Sequence, residues 1–317
     1  MNILIKVKPT NLLAEKEKFL ADHSYNPQFT YQAETTQAEL TQWGEPNQAV
    51  YEYALAMVTE NSLPPIPKVE ERVTVEYIQE KIAAFNEFYA CKEPLLVYFE
   101  KNLVSRCKVT SKAIYFQLPI VYSAAQLTDL LRHELETHVL RNMNHRLQEW
   151  SEYVSPETVI RSTEEGLANL HTHLLRADKR LYKSFFSYLA AYLAQQHSFA
   201  TVYDTLIRLG RSPETSWNTT VKVKRGLTDT SKPGAFTRGI CYLEGAITMW
   251  QWVLDERHDL RQLYWGRLAI EELPNFTSTV PQHELKVPTF INESDTYREH
   301  VTELGRVNQF ETLQRML

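Results

Sequence analysis

The chain lacks several features that would assign it at once to a class of protein. No run approaches the roughly 20 apolar residues of a membrane-spanning helix, and the residues after Met1 do not form the apolar segment of a signal peptide. The net charge of −5 argues against a general nucleic-acid binder. Repeats and low-complexity segments are also missing. We therefore expect a cytoplasmic protein with neither a membrane nor a nucleic acid as its partner.

Cysteine is scarce as well. Cys91, Cys107 and Cys241 are scattered and odd in number, so they suit neither a disulfide framework nor a metal cluster. This usage fits a reducing cytosol, with buried apolar thiols as the expected role. The 317 residues, 43% hydrophobic and 23% charged, have the composition of a globular protein and suffice for one large domain or two.

The spacing of apolar residues predicts an α-rich α+β fold. Helices are predicted at 12–21, 36–43, 47–60, 75–90, 182–194, 200–209, 240–254 and 296–304. Strands are predicted at 95–99, 104–109 and 113–118, as a small antiparallel sheet. Three prolines in Asn61–Pro67 preclude a continued helix and indicate a linker. We therefore expect a helical N-terminal extension at 1–67 and one larger domain at 68–317.

The stretch from Leu127 to Asn144 combines a strongly apolar helix with a polar insert. Ser123 can cap the start of this helix, and Gln126 stands where the partner in a capping box belongs. The insert, His-Glu-x-x-x-His, is expected to be buried or to line a cleft, because leucines recur around it. Imidazoles and carboxylates away from water need partners. A divalent metal would satisfy them together.

The spacing of the two histidines has a structural consequence. In the common zinc motif His-Glu-x-x-His the ligands are four residues apart, whereas His133 and His138 are five apart. An ideal helix turns about 100° per residue, so residues five apart point roughly 140° away from each other. A π-turn would return them to one face. The sequence thus predicts a locally widened helix if they share a metal, with Glu134 beside the ion as general base.

The simpler alternative is a group of polar residues on a partly solvated helix face. Chance produces such a short match often, so the metal hypothesis depends on a further ligand downstream, in Ser162–Ala168. There, Ser162 and Glu165 also have the spacing of a capping box at a helix start, which would direct Glu165 back to the cap. Glu164 is the alternative ligand if the register shifts by one residue.

These motifs resemble those of the microtubule-associated tyrosine carboxypeptidase family and its bacterial relatives, which carry a Gln-Glu-Gly-Leu-Ala motif. The specific matches are His133–His138 and Thr163–His171. The resemblance implies a zincin-like zinc metallopeptidase, with His133, His138 and Glu165 as ligands of Zn²⁺ and Glu134 as catalytic base. Weaker matches extend it over most of the chain, at Asn26–Phe29, Lys224–Leu227, Gly234–Thr237 and Tyr242–Gly245.

Two residues depart from the family pattern. Glu136 stands where family members often have glycine, and Glu164 stands where the bacterial motif has glutamine. Neither change removes a ligand, but a second acid near the metal could alter the shape or the charge of the pocket. His171 and His173 follow on the same predicted helix, and we expect them to pack in the core rather than to support the metal.

The resemblance implies removal of a C-terminal residue from a peptide or protein, with an aromatic side chain as the first guess. A carboxypeptidase needs a cation for the terminal carboxylate, and a guanidinium suits this task because it binds carboxylates in bidentate fashion. Arg225 and Arg238 are the candidates, and Tyr242 could hydrogen-bond the oxyanion. A solvated basic face and a packed tyrosine are the alternatives. An exposed sheet edge could pair with an extended peptide, and a scaffolding hairpin is equally compatible.

Two other functions stay open from the sequence. A zinc endopeptidase would use the same ligands, but it would also cut peptides whose C-terminus is amidated. A non-catalytic regulatory protein on the same fold would need none of the four metal-site residues, so their presence argues against it. The sequence does not indicate an oligomeric state.

Overall fold

The computed structural model describes residues 3–60, 71–101, 103 and 106–314. The first helices are α1 (Ile3–Lys6), α2 (Leu12–Ala21), α3 (Gln37–Leu40), α4 (Gln48–Thr59) and α5 (Val75–Phe88). After the sheet come α6 (Ala124–Leu131), a π-helix (Arg132–Val139), α7 (Leu140–His145), α8 (Glu157–His173), α9 (Tyr182–Gln196), α10 (Phe199–Arg208), α11 (Pro213–Lys224) and α12 (Cys241–Leu254). The last helices are α13 (Thr289–Asn292), α14 (Ser294–Val307) and α15 (Phe310–Gln314), and 3-10 turns lie at Thr237–Ile240, Leu260–Tyr264 and Leu273–Asn275. None of the helices in these ranges combines the length and the apolar character needed to span a bilayer.

Three short strands form a mixed sheet. They are β1 (Leu96–Glu100), β2 (Cys107–Val109) and β3 (Ala113–Gln117), in the order β1–β3–β2. β1 pairs with β3 in parallel, and β2 pairs with β3 in antiparallel fashion. The strands alternate in direction along the chain, as expected, but β3 inserts between the other two. The prediction of an antiparallel sheet was therefore wrong for the β1–β3 pair.

The described residues divide into two compact units. The first takes in those before residue 64, Arg180–Ile247 and those from Gly305 on. In this unit α4 packs on α9, and α10 and α11 pack on each other and on α9. Five buried aromatic residues form a cluster: Phe19, Phe29, Phe199, Tyr203 and Trp217. Two of the five come from the N-terminal part of the chain, which is thereby joined to α10 and α11.

The whole of the predicted linker at Asn61–Pro67 lies outside the described residues. The same holds for the predicted boundary between residues 67 and 68. The division into a domain at 1–67 and another at 68–317 therefore stays a prediction.

The second unit takes in the described residues between Pro64 and Lys179, together with Thr248–Leu304. It contains the sheet, α5, and one long helix built from α6, the π-helix and α7. α8 packs along the π-helix. Apolar side chains of the long helix and of α8 are buried, namely Leu127, Leu135, Leu140, Leu167 and Leu170. This packing sets α8 alongside the polar insert of the long helix.

Candidate metal centre

The helix that carries the two histidines begins with the predicted cap. The Ser123 hydroxyl accepts a hydrogen bond from the backbone N–H of Gln126, and the Gln126 side chain accepts one from the backbone N–H of Ser123. α6, the π-helix and α7 then follow without interruption from Ala124 to His145. The π-helix coincides with the polar insert. The widened turn predicted from the five-residue spacing is thus present.

The π-helix brings the histidines to one face. The ring centroids of His133 and His138 are 5.2 Å apart. Glu165 reaches the same place from α8, with its Oε2 3.8 Å from His133 Nε2. One ligand atom from each of the three residues lies within 4.8 Å of the other two. The structure therefore brings together the three residues selected from the sequence.

The donor set suits zinc. Two imidazole nitrogens and one carboxylate oxygen are the ligands of a common class of catalytic zinc site. Tetrahedral bonds of about 2.1 Å space the ligand atoms roughly 3.4 Å apart, which is close to the 3.8 Å between His133 Nε2 and Glu165 Oε2. In the part of the chain that the structure describes, no other trio of His, Cys, Asp or Glu side chains could hold an ion in this way.

Hydrogen bonds determine which nitrogen of His133 faces the site. The Thr172 hydroxyl donates to the Ala168 carbonyl at 2.8 Å and lies 3.0 Å from His133 Nδ1. Because its one hydrogen is already donated, this hydroxyl accepts from Nδ1–H. Nε2, on the side of Glu165, then carries the lone pair. Metal-ligating histidines have this arrangement, with the other ring nitrogen held by a hydrogen-bond acceptor.

Arg161 orients Glu165 from one turn earlier on α8. Its Nη1 donates to Glu165 Oε1 at 2.6 Å, and its Nη2 donates to the Glu157 carboxylate. Burial alone would lower the pKa of Arg161, but the negative charges of Glu165 and Glu157 raise it above its usual range. One oxygen of Glu165 is held by the guanidinium in this way, while the other faces His133.

The residue at which α8 begins tests the alternative in which Glu165 belongs to a capping box with Ser162. The helix begins at Glu157, with Pro156 at the N-cap position, so Ser162 lies inside it. A residue within a helix has no exposed N-terminal N–H groups to cap. The expected helix start at Ser162 was wrong, and the capping box between Ser162 and Glu165 does not form.

Glu164 forms an ion pair with Arg267 on another side of α8. Its two oxygens accept hydrogen bonds from Arg267 at 2.8 Å each, and Arg141 Nη1 lies 3.8 Å away. Burial alone would raise the pKa of Glu164, but the hydrogen bonds from Arg267 and the charges of both arginines lower it to about 2. Of the two adjacent acids, Glu165 is the one that faces the histidines.

Glu134 interacts electrostatically with Cys107 on β2. Burial, followed by the negative charge of Glu134, raises the pKa of the Cys107 thiol on β2. β2 has β3 on one side only, and among the described strands it has no partner on the other. The side chain predicted to act as base is therefore close to a strand whose outer edge is open within the described sheet.

The three residues predicted to bind substrate lie together in the first unit. The Arg225 guanidinium stacks over the Phe236 ring, 4.5 Å from its centroid. Burial, followed by the positive charge of Arg238, lowers the pKa of Arg225 to about 10, and Tyr242 acts in the opposite direction. Among the described residues the buried Nε of Arg225 has no hydrogen-bond acceptor. Their role in substrate binding stays a prediction.

The chain matches one family over most of its length. The family model described as microtubule-associated tyrosine carboxypeptidase matches residues 19–310. The chain belongs to this family. The resemblance drawn from the two metal-site motifs is therefore confirmed.

Relatives in this family are similar along nearly the whole chain. The "Putative tyrosine carboxypeptidase MATCAP2" of Mus musculus is 29% identical over 97% of this chain, which spans 62% of that protein. The "Microtubule-associated tyrosine carboxypeptidase 1" of Mus musculus is 28% identical over 98% of this chain, which spans 70% of that protein. Among solved structures, "the putative lipoprotein from Colwellia psychrerythraea" covers 94% of this chain and is itself covered to 57%, with a TM-score of 0.41 and 10% identity.

The two departures from the family pattern have separate surroundings. Glu164 pairs with Arg267, as described above. Glu136 lies on the π-helix with Arg132 Nε 3.9 Å from its carboxylate, and burial raises the pKa of Glu136. Neither acid belongs to the trio of ligand atoms. Both departures therefore leave the donor set of the family motif intact.

Three residues that hold Glu165, His133 or Glu164 in place were not predicted from the sequence. Arg161 precedes Glu165 by four positions, so the rule that residues four apart on a helix pair with each other could have indicated it. Thr172 lies two turns after Glu165 on the same helix, which is a weaker signal. Arg267 and Glu164 are 103 positions apart, and no local pattern connects them.

Proposed function

We propose that this chain is a zinc-dependent carboxypeptidase that removes the C-terminal residue of a peptide or protein, with a tyrosine-like aromatic residue as the first candidate. The observation that carries the proposal is the convergence of His133, His138 and Glu165 on a π-helix and its neighbour α8. Family membership adds the reaction class, since the relatives named above are called tyrosine carboxypeptidases. A zincin-like catalytic domain is the fold that such a site implies.

Each residue of the site has a stated role in this proposal. His133, His138 and Glu165 would hold Zn²⁺ through two imidazole nitrogens and one carboxylate oxygen. When bound, the ion supplies Lewis-acid chemistry, acidifying a water molecule and polarising the scissile carbonyl. The Glu134 carboxylate accepts the proton of that water and returns it to the leaving amine. Thr172 and Arg161 keep the imidazole of His133 and the carboxylate of Glu165 in position.

The substrate needs contacts beyond the ion. β2 is close to Glu134 and has one open edge among the described strands, so an extended peptide can add there as a further strand. Arg225 and Arg238 are proposed to bind the terminal carboxylate, and Tyr242 to donate to the oxyanion. What supports Arg225 is its aromatic stacking and the lack of any described carboxylate paired with it.

The role of Glu134 is tested by Glu134→Gln. The amide cannot accept a proton, so turnover should fall by about 10²–10⁴-fold while zinc content is unchanged. Glu136→Gln is the matched control, because it makes the same change on the same π-helix outside the donor set. Metal analysis and peptide cleavage are measured on both variants. Unchanged turnover in Glu134→Gln would remove this residue as the base.

The type of peptidase is tested with peptides that differ only at the C-terminus. Free carboxylates of varied terminal residues should be trimmed by one residue, as followed by mass spectrometry, and amidated versions should survive. Internal cleavage of the amidated peptides would assign an endopeptidase instead. Bound zinc without cleavage of either set would assign a non-catalytic protein.

A further inference from the structure

A buried chain of hydrogen bonds ends on the π-helix. Tyr297 Oη lies 2.9 Å from His171 Nε2, and His171 Nδ1 lies 2.7 Å from Thr137 Oγ1. The Thr137 hydroxyl in turn reaches the Arg132 carbonyl at 3.1 Å. Thr137 and His171 have no exposed surface, and Tyr297 is 1% exposed. α14, α8 and the π-helix are therefore linked through three buried side chains.

The hydrogens available on Thr137 and His171 determine which group donates and which accepts in each hydrogen bond. Thr137 donates its only hydroxyl hydrogen to the Arg132 carbonyl, so its oxygen accepts from His171 Nδ1–H. His171 Nε2 is then the acceptor, and Tyr297 donates to it. Burial lowers the pKa of His171 to about 3, which keeps the imidazole in the neutral form that this pattern requires. Every polar atom of the imidazole is satisfied.

The bond made by Thr137 belongs to a widened turn. Buried threonines in helices commonly bond the carbonyl four residues back, as Thr220 does with Ser216 in α11. Thr137 instead bonds the carbonyl five residues back, which is the spacing of a π-turn. A second contact holds the same segment, since the Tyr264 hydroxyl donates to the Glu136 carbonyl at 2.7 Å.

We propose that His171 is a positioning residue that fixes the π-turn through Thr137, and so places His133 and His138 on one face before an ion binds. It acts on the backbone between the two histidines through the Thr137 hydroxyl. The functional meaning of this inference rests on the proposed zinc site. The conformational claim, that the hydrogen-bond chain maintains the π-turn, can be tested without metal.

Two substitutions at Thr137 separate the hydroxyl from the packing. Thr137→Val keeps the shape and removes the hydroxyl, whereas Thr137→Ser keeps the hydroxyl and removes a methyl group. Thr137→Val should weaken zinc binding by about 10–100-fold, the range found when outer partners of metal ligands are lost. Thr137→Ser should bind zinc like the wild type even if it is less stable. Competition with a chromophoric chelator measures the affinity.

Thr220→Val is the matched control. Thr220 is fully buried and its hydroxyl also bonds a carbonyl of its own helix, but it lies on α11, which carries none of the proposed ligands. Its variant should lose stability without losing affinity for zinc. In Co²⁺-substituted protein, the absorption bands of the ion report the ligand geometry, and these should change in Thr137→Val and not in Thr220→Val.

His171→Phe tests the other end of the same chain. Phenylalanine keeps a ring against Phe290 and Tyr297 but removes both hydrogen bonds. This variant should lose zinc affinity to the same extent as Thr137→Val, and the double variant should lose no more than either single one, because both act through one link. If the loss of zinc affinity in the double variant equalled the product of the two single losses, the residues would act independently. That result would overturn the proposal.

Amide hydrogen exchange of the metal-free protein distinguishes this inference from the proposed function. Exchange across 132–139 should be faster in Thr137→Val and His171→Phe, and unchanged in Thr137→Ser and Thr220→Val. If the wild type binds neither zinc nor Co²⁺, the proposed function fails, and the exchange rates alone decide the inference. Equal exchange in all proteins, or wild-type zinc affinity in Thr137→Val, overturns it.

Discussion

Glu164 and Glu165 are adjacent acids with different surroundings. Consecutive residues leave a helix about 100° apart, so the two carboxylates point in different directions from α8. Glu165 faces His133 at 3.8 Å, whereas Glu164 is bonded through both oxygens to Arg267. The sequence offers both as ligands. The packing of α8 directs Glu165 towards the histidines and Glu164 towards Arg267.

Substitution of each acid by glutamine should separate metal binding from stability. Glu164→Gln removes the carboxylate that faces the buried guanidinium of Arg141, so the free energy of unfolding should fall by about 3 kcal/mol with zinc binding retained. Glu165→Gln should abolish tight zinc binding with a smaller effect on the metal-free protein. Denaturant unfolding without metal and zinc titration measure the two effects. Loss of zinc binding in Glu164→Gln, with zinc binding retained in Glu165→Gln, would assign the ligand role to Glu164.

Lys224 is a buried lysine whose ammonium group donates hydrogen bonds to two backbone carbonyls. Its Nζ donates to Ala194 O at 3.0 Å and to Lys232 O at 2.8 Å, and the residue has no exposed surface. Burial lowers the pKa of Lys224 from 10.5 to about 8. Between these two values the unfolded chain binds the proton and the folded chain releases it. Stability therefore rises with pH across this window.

The variant Lys224→Met should lose this pH dependence. From about pH 7 to about pH 10 the free energy of unfolding of the wild type should rise by about 2 kcal/mol relative to the variant. The comparison is needed because thiols and tyrosines titrate in the same range, and they affect both proteins alike. Urea unfolding across the range gives the two curves. A constant difference between them would contradict the lowered pKa of Lys224.

Helices with strong local signals were predicted closely. α2 has the predicted bounds, Leu12–Ala21, and α5 begins at the predicted Val75. The capping box of Ser123 and Gln126 is formed. The π-helix was also accessible from the sequence, because only a widened turn brings residues five apart to the same face.

Elements that depend on distant contacts were predicted less well. The parallel pairing of β1 with β3 requires β3 to insert between two strands that precede it, and no local pattern encodes that order. α8 begins at Glu157 although Ser162 has the better cap signal. Packing of α8 against the π-helix outweighs a cap worth about 1 kcal/mol. Tertiary contacts therefore decided both cases.

The end of α11 depends on a glycine. Gly226 has φ +92°, and a Cβ there would lie 2.5 Å from Leu40 Cδ2 and 3.1 Å from Val7 Cγ1. Gly226→Ala should therefore lower the free energy of unfolding by about 1–3 kcal/mol. Gly239→Ala is the control, since its Cβ would meet its nearest neighbour at an ordinary 3.8 Å. Denaturant unfolding of both variants measures the difference, and equal stability would contradict the role of the positive φ.

The division of the chain into units was not accessible from the sequence. Phe19, near the start of the chain, packs within 5.2 Å of Phe199 and 5.1 Å of Trp217, measured between ring centroids. Such contacts join segments far apart along the chain, and an aromatic residue does not reveal which distant ring it will meet. The grouping of His133, His138 and Glu165 was accessible because these residues lie in two short motifs, each with its own spacing.

All three proposed ligands belong to the second unit, and this predicts where zinc should act on the protein. An ion that binds only the folded state stabilises it by about 4 kcal/mol when its free concentration is 1,000 times its Kd. Amide exchange should therefore slow most across the π-helix and α8 when zinc is added. A chelator should reverse the change.

Glu165→Gln provides the comparison for this effect. It lacks one proposed ligand, so added zinc should leave its exchange rates and its unfolding midpoint unchanged at concentrations that protect the wild type. The aromatic cluster of the first unit holds none of the proposed ligands and serves as an internal reference. Because the proposed ion would be held by ligands from both α8 and the π-helix, protection should appear in both helices at the same zinc concentration. Protection of one helix without the other would show that the three side chains do not share an ion.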